Sequence, residues 1–483
     1  MMKRSNLIAL STLSLATSAI AEKPNIVFIL TDDQGYGDLA CHGHPFLKTP
    51  NLDKMYAEST RFTDFHASPT CAPTRAALMS GMQPIKVGVT HTILERELMN
   101  LKNITIAQVL KKAGYSTGIF GKWHLGDEDE YQPFSRGFDE CFTHAAGGIG
   151  QNFPGSQGDA PGTSYFAPII RHNKKFVQTD DFCTNVFFRQ ALTWMKERKE
   201  TGKPFFSYIS LNAPHAPYLS LKEHSDLYKD KFKSGAKSKG KKKSKGKSGG
   251  FAEFYGMITN IDENVGLLMS KLDEWKILDD TLVIFMTDNG SAKGTTIYNA
   301  GMRGRKSEPY QGGTRVPLFL RWPKKFKAGL DIDRLTRHYD LFPTLAELAG
   351  AEVPSGLDGR SLLPLTQNPK AEWEDRYHFI HKTRWKKEPT KYEQFTVRNE
   401  KWRLVNGKEL YDVDADIGET NNLAKQYPEV VKQMMNAFEK FWDEATPLMI
   451  NEGRSTKVRK PYVEEFKKQK ASIGIPKWDP AEL

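Results

Sequence analysis

The chain reads as an α/β protein: a large mixed, mostly parallel sheet sandwiched by helices, followed by a smaller α+β region carrying an antiparallel sheet. Three observations predict this. Apolar runs of strand length alternate with helical patterns through the first three-quarters of the 483 residues. Several of those runs end abruptly in Asp, Asn, Lys or His. After about residue 367 the texture changes to short, closely spaced strand patterns and one long amphipathic helix.

In order, residues 25–30 (NIVFIL), 116–120, 204–211 (PFFSYISL) and 281–286 (TLVIFM) are buried-strand candidates. Helices are expected over 51–59, 105–113, 186–197, 251–272 and 341–349, the last stopping at Gly350 as a C′ residue. Residues 376–381, 395–398, 402–405 and 409–413 read as antiparallel strands, with a helix over 428–445. The expected division is 1–21 as a secretory signal, 22–367 as the main domain and 368–483 as the C-terminal subdomain. Lys3 and Arg4 open the signal, a short apolar stretch follows, and Ala19-Ile20-Ala21 is a small-x-small cleavage site. Export, with a bacterial periplasm as the destination, is expected, and no other segment supplies a stable membrane span.

The formal net charge of +11 arises locally. Lys3 and Arg4 leave with the signal, and nine lysines without a single acid lie in 231–250, so the remainder is formally neutral. Such a Lys/Gly/Ser run is a solvated insertion or a tether for polyanions. Its one aromatic residue is Phe232 at its start, so it has no series of rings to stack bases and no nucleic-acid partner is expected. Four cysteines are too few for a disulfide scaffold; a Cys141–Cys183 bridge stays open.

Chemistry concentrates in a few segments. In Cys71-Ala72-Pro73-Thr74-Arg75, Pro73 presets a helix start and Gly81 can end the helix. Cys71 therefore stands at a helix N-terminus, which favours an anion, and Arg75 lies about one turn on. The strand at 25–30 runs into Asp32-Asp33-Gln34-Gly35, and the strand at 281–286 into Asp288-Asn289-Gly290. Three carboxylates and an amide oxygen beyond the carboxyl ends of strands call for a hard cation, Ca2+ or Mg2+ rather than Zn2+. Gly121-Lys122-Trp123-His124-Leu125-Gly126 and Asn212-Ala213-Pro214-His215 follow two further strands, and Lys306 precedes Gly312-Gly313-Thr314-Arg315. Each alone is compatible with a cap, turn or surface role.

Their joint order resembles the type I, formylglycine-dependent sulfatases, whose pattern includes C-x-P-x-R, D-D-x-G-x-G-D, G-K-W-H-L-G and D-N-G. The resemblance covers nearly the whole chain except the Lys-rich insertion and 143–165. It implies an alkaline-phosphatase-like fold and hydrolysis of sulfate esters. It implies that Cys71 is oxidised to formylglycine by a maturation enzyme, and that Asp32, Asp33, Asp288, Asn289 and residue 71 hold one divalent ion, Ca2+ before Mg2+. It further implies that Arg75, Lys122 and Lys306 neutralise sulfate charge, that His215 and Lys306 protonate the leaving oxygen, and that His124 assists release of sulfate from residue 71. Asn289, where two-zinc phosphatases of the superfamily carry His, favours a single hard ion. A sulfated polysaccharide or its oligosaccharides is the expected substrate, with His91, 143–172 and parts of the C-terminal region setting specificity. A phosphonate monoester or phosphodiester hydrolase, and a non-catalytic polyanion-binding protein, are the alternatives.

Overall fold

Residues Asn25–Thr31 form the central strand β1 in a computed structural model, which describes residues 23–232, 250–385, 388–453 and 457–482. The expected signal and nearly all of the Lys-rich segment lie outside the described residues. Next come β2 (Thr60–Phe62), β3 (Phe65–His66), β4 (Ser116–Lys122), β5 (Glu140–His144), β6 (Ile169–His172), β7 (Lys175–Gln178) and β8 (Phe205–Ser210). They are followed by β9 (Thr281–Thr287), β10 (Leu318–Arg321), β11 (Asp331–Ile332) and β12 (Thr336–Arg337). The last four are β13 (His378–His381), β14 (Phe395–Arg398), β15 (Trp402–Val405) and β16 (Glu409–Asp412).

Ten strands make one mixed sheet in the order β11-β2-β10-β9-β1-β8-β4-β5-β6-β7. Its middle, β9-β1-β8-β4-β5, is wholly parallel, whereas β10, β6 and β7 join antiparallel at the flanks. Alternation along β1 divides the core. Ile26, Phe28 and Leu30 face one apolar cluster, while Val27 and Ile29 face the other.

Helices cover both faces, as a buried parallel sheet requires. In chain order the helices begin with α1 (Pro50–Ala57), α2 (Cys71–Ser80), α3 (Ile106–Lys112), α4 (Cys183–Glu200), α5 (Lys222–Asp226) and α6 (Phe251–Glu274). After them come α7 (Gln311–Thr314), α8 (Leu341–Leu348), α9 (Leu363–Gln367), α10 (Pro428–Ala445) and α11 (Pro461–Ser472). Helices α2, α3 and α8 pack on the first face, and α1, α4 and α6 on the second. The longer helices fall within a few residues of their expected bounds, and Gly350 takes the left-handed φ of 62° that a C′ residue needs.

Strands β13–β16 form a separate antiparallel sheet in sequential order, as the short-strand texture suggests. Phe395, Val397, Leu404 and Leu410 pack there with Met434, Phe438 and Trp442 of α10. Residues 457–482 then return to the edge of the large sheet, a detail absent from the sequence reading. The Tyr462 hydroxyl donates to Thr143 O (2.7 Å), and the Trp478 backbone N–H donates to Gln178 O (2.8 Å). All four cysteines carry free thiols. The open Cys141–Cys183 pairing is not made, because Cys141 belongs to one face of the sheet and Cys183 to the other. Among the described residues no helix is long and apolar enough to cross a membrane.

Candidate active site

Four consecutive parallel strands, β9-β1-β8-β4, end at the same edge of the sheet, and each delivers one of the chemistry-bearing segments. Thr31 of β1 pairs with Thr287 of β9, so Asp32-Asp33 and Asp288-Asn289 emerge side by side. All four are buried. Asp33 takes a left-handed φ of 67°, and its N–H donates to Asp288 Oδ1 (3.1 Å). Strand β8 leads to His215, and β4 ends at Lys122 with His124 just beyond. Close backbone approach holds these ends together. A side-chain carbon at Gly290 would lie 1.9 Å from Gly312 O, and one at Gly121 would lie 2.1 Å from Ser210 O.

Cys71 is the first residue of α2, a helix buried along its whole length. Its N-cap, Thr70, makes no side-chain cap bond, so the first N–H groups are left for a ligand. Gly81, with φ of 69°, closes the helix. One ligand atom each from Asp32, Cys71 and Asp288 lies within 4.8 Å of the others, and Asp32, Asp33 and His215 form a second such group. Arg75, one turn along, is fully buried. It donates to Asp288 Oδ2 (3.1 Å), Lys122 O (3.2 Å), Leu211 O (3.2 Å) and Ser210 Oγ. Lys122 Nζ meets Asp32 Oδ2 at 2.5 Å, and Lys306 Nζ meets Asp33 Oδ1 at 2.5 Å. His215 Nε2 stands 3.7 Å from Asp33 Oδ2, while its Nδ1 bonds to Ala216 O (2.6 Å). The structure therefore brings Asp32, Asp33, Cys71, Arg75, Lys122, His215, Asp288 and Lys306 together at one edge of the sheet.

The electrostatics follow from this crowding. Burial alone would raise the Asp32 carboxyl, yet Lys122, His215, Arg75 and Lys306 together hold it far below its ordinary value. Its neighbour Asp288 goes the other way, pushed well up by burial and by the Asp32 charge. Burial opposes ionisation of the Cys71 thiol, but Lys122 and Lys306 outweigh it and lower it. Burial, then Lys122, keeps His124 well below the usual imidazole range. Its Nε2 pairs with Thr92 O (2.8 Å), which as a donor leaves Nδ1 with the lone pair.

Asp32 Oδ1 and Asn289 Oδ1 are buried oxygens without hydrogen-bond partners among the described residues, although Asn289 Nδ2 donates to Asp33 Oδ1 (3.0 Å). Unpartnered acceptors between carboxylates fit a hard, oxygen-bound cation. Sequence reasoning missed Ser210 and His144. Ser210 is one of two serines, with Ser207, in a strand otherwise made of aromatic and aliphatic residues. His144 sits opposite Lys122 in the β4–β5 pairing, with a buried Nε2 that has no partner among the described residues. Neither belongs to a recognisable motif.

A family model described as Sulfatase matches residues 24–351, and one described as N-sulphoglucosamine sulphohydrolase, C-terminal, matches 306–444. Arylsulfatase A of Homo sapiens is 34% identical over 386 residues, covering 75% of this chain and 70% of the relative. The N-acetylgalactosamine-6-sulfatase of Canis lupus familiaris is 32% identical over 381 residues, covering 74% and 69%. Among solved structures, Ps i-CgsB superposes with a TM-score of 0.75 at 26% identity, covering 93% of this chain and 97% of its own. With a matched model over most of its length and these relatives beside it, the chain belongs to the sulfatase family of the alkaline-phosphatase-like superfamily and is a sulfuric ester hydrolase.

Proposed function

We propose that the protein removes sulfate from a sulfated polysaccharide or its oligosaccharides, with Cys71 matured to formylglycine and one divalent cation, Ca2+ before Mg2+, as its cofactors. The observation that carries this reading is the meeting of Cys71, Asp32 and Asp288 at a helix N-terminus ringed by Arg75, Lys122 and Lys306. Ps i-CgsB has also been solved in complex with a neocarrahexaose, which supports a carbohydrate substrate.

Asp32, Asp33, Asp288, Asn289 and residue 71 would hold the ion, which supplies Lewis-acid neutralisation of sulfate charge. Formylglycine at residue 71 would supply a hydrated aldehyde, a nucleophile with a second hydroxyl on the same carbon. The chain's own groups do the rest. Arg75, Lys122 and Lys306 place three fixed positive charges where the sulfate oxygens gain negative charge. Asp288 is placed to take the proton of the attacking hydroxyl. His215 and Lys306 protonate the departing sugar oxygen. His124, held neutral with Nδ1 free, takes the proton of the second hydroxyl. Maturation requires a formylglycine-generating enzyme, and the N-terminal 21 residues are proposed to direct export to the periplasm.

The reading is tested by sulfate release from a panel of defined sulfated oligosaccharides, with nitrophenyl sulfate and a nitrophenyl phosphonate monoester run in parallel. Sulfate release is expected. Turnover of the phosphonate alone would overturn it. Ion binding has its own readout, because a ligand of the folded state alone raises stability by about 2.7 kcal/mol at a hundredfold excess over Kd. After chelation, Ca2+ titration should raise the Tm of the parent chain, and Asp288→Asn should blunt that rise. A Tm indifferent to Ca2+ and to Mg2+ would count against the ion.

A further inference from the structure

Three segments far apart in sequence meet beside the active site: the loop 90–96, the stretch 381–385 that leaves β13, and Glu452. The Arg384 N–H donates to Thr90 O (2.9 Å), Arg96 NH1 donates to Trp385 O (2.9 Å), and Trp385 Nε1 donates to Glu452 Oε2 (2.8 Å). Glu452 also accepts from Thr90 Oγ1 and lies 3.3 Å from Arg96 Nε. These bonds over-determine a backbone that would otherwise resist its shape, since Thr383 and Arg384 both take left-handed φ, 54° and 55°.

The effect is to aim Arg384 at the site. Its NH1 reaches Ser307 Oγ (3.3 Å), the residue after Lys306, and Ser307 N in turn donates to Pro69 O (2.8 Å), two residues before Cys71. On the other side the Arg384 charge is felt by His91, whose imidazole is lowered to about 3 by burial, then by Arg384 and Arg96. The next residue, Thr92, is the one whose carbonyl meets His124. Arg384 thus stands between the loop that carries Lys306 and the loop that backs His124.

Lys382 lies close enough to be affected by the Arg384 charge, and also feels Glu308. Both cations are only half-buried, and among the described residues neither is in a salt bridge with a carboxylate. Beside them opens a cavity of about 770 Å³ lined by His381, Lys382, Arg384, Trp385, Glu388 and Glu393, within the size range of small-ligand sites. Two like charges held side by side on a strained and heavily braced loop, outside any ion pair among the described residues, invite an anion. The two glutamates and the aromatic wall suit the hydroxyls and ring of a sugar.

We propose that this cavity is the subsite for the sugar next to the one being desulfated, with Arg384, seconded by Lys382, binding a sulfate or carboxylate on it. The substrate is then a chain charged on adjoining sugars. This rests on the sulfatase reading above and narrows its substrate class.

The test is calorimetry on the full-length chain with Cys71→Ala, which has no nucleophile, so that nothing is turned over. The probes are tetrasaccharides of ι-carrageenan and of heparin, charged on adjoining sugars, and of κ-carrageenan, charged on alternate ones. At least one doubly charged probe should bind more tightly than the κ-probe. Arg384→Gln should weaken it by about tenfold to a hundredfold, the range of one hydrogen bond to a charged group, and reduce its salt dependence. Arg384→Lys should recover part of the loss, and κ-probe binding should change less than threefold. Absent binding of both doubly charged probes, or affinity indifferent to Arg384→Gln, overturns the proposal. Sulfate release by the parent chain is measured separately. A chain that binds through Arg384 but releases no sulfate keeps the subsite and loses the reaction.

Discussion

Replacing Cys71 with Ser, in protein made alongside a maturation enzyme that oxidises cysteine, should lower sulfate release by about five orders of magnitude or more, the scale seen when a nucleophile is deleted. The fold should survive. Position 71 is the first residue of a wholly buried helix, and a hydroxyl fills nearly the volume of a thiol. It would face the same Lys122 and Lys306 that lower the native thiol. What serine lacks is the second oxygen on the same carbon. A sulfate ester formed on a lone hydroxyl would itself have to be hydrolysed, so the chain would stall after one turnover. Sulfate release and Tm, measured together, check both halves. The tryptic peptide spanning 62–75 gives the companion observation: the parent should carry an aldehyde at residue 71 by mass spectrometry. A fully thiol-bearing peptide in an active preparation would refute the mechanism.

Arg75→Ala should cost about 3–5 kcal/mol of folding stability as well as activity, because removing one partner of a buried ion pair strands the other. Its guanidinium joins α2 to β4, β8 and β9 through Lys122 O, Ser210 Oγ, Leu211 O and Asp288 Oδ2. Truncation takes the guanidinium away from Leu211 O, from Lys122 O and from the Asp288 carboxyl, which is left with the neutral Asp33 N–H in place of a charged donor, and Asp288 already resists ionisation. Arg75→Lys should rescue little, since one ammonium cannot reproduce a planar fork reaching four acceptors. Urea unfolding checks the stability and sulfate release the activity. A midpoint unchanged from the parent would show that Arg75 is not the tie described.

Most of this centre was legible in the sequence, for a physical reason. A strand covered on both faces must be continuously apolar, so the point where β1 or β9 turns polar marks where the chain leaves the core, and Asp32 and Asp288 stand at that point. The type of each neighbour followed from the motifs. What stayed hidden was contact made through backbone or across great separation. Arg75 bonds two carbonyls, which carry no side-chain signature. Thr90 and Glu452 meet across 362 residues. The flanking strands β2 and β11 are three and two residues long, too short for alternation to show. The return of 457–482 was equally silent, because α11 buries only Tyr462, Val463 and Phe466, a stripe too narrow to name its partner.

That return shapes how the protein can be handled. The indole of Trp478 lies against Phe142 at 5.5 Å, under the Arg189 guanidinium at 4.9 Å, and donates to Gln190 Oε1 at 2.8 Å. The final described residues thus act as a latch on α4. Trimming them would uncover an oily notch and invite aggregation, so an affinity handle is better spliced beyond Leu483 than substituted for the tail.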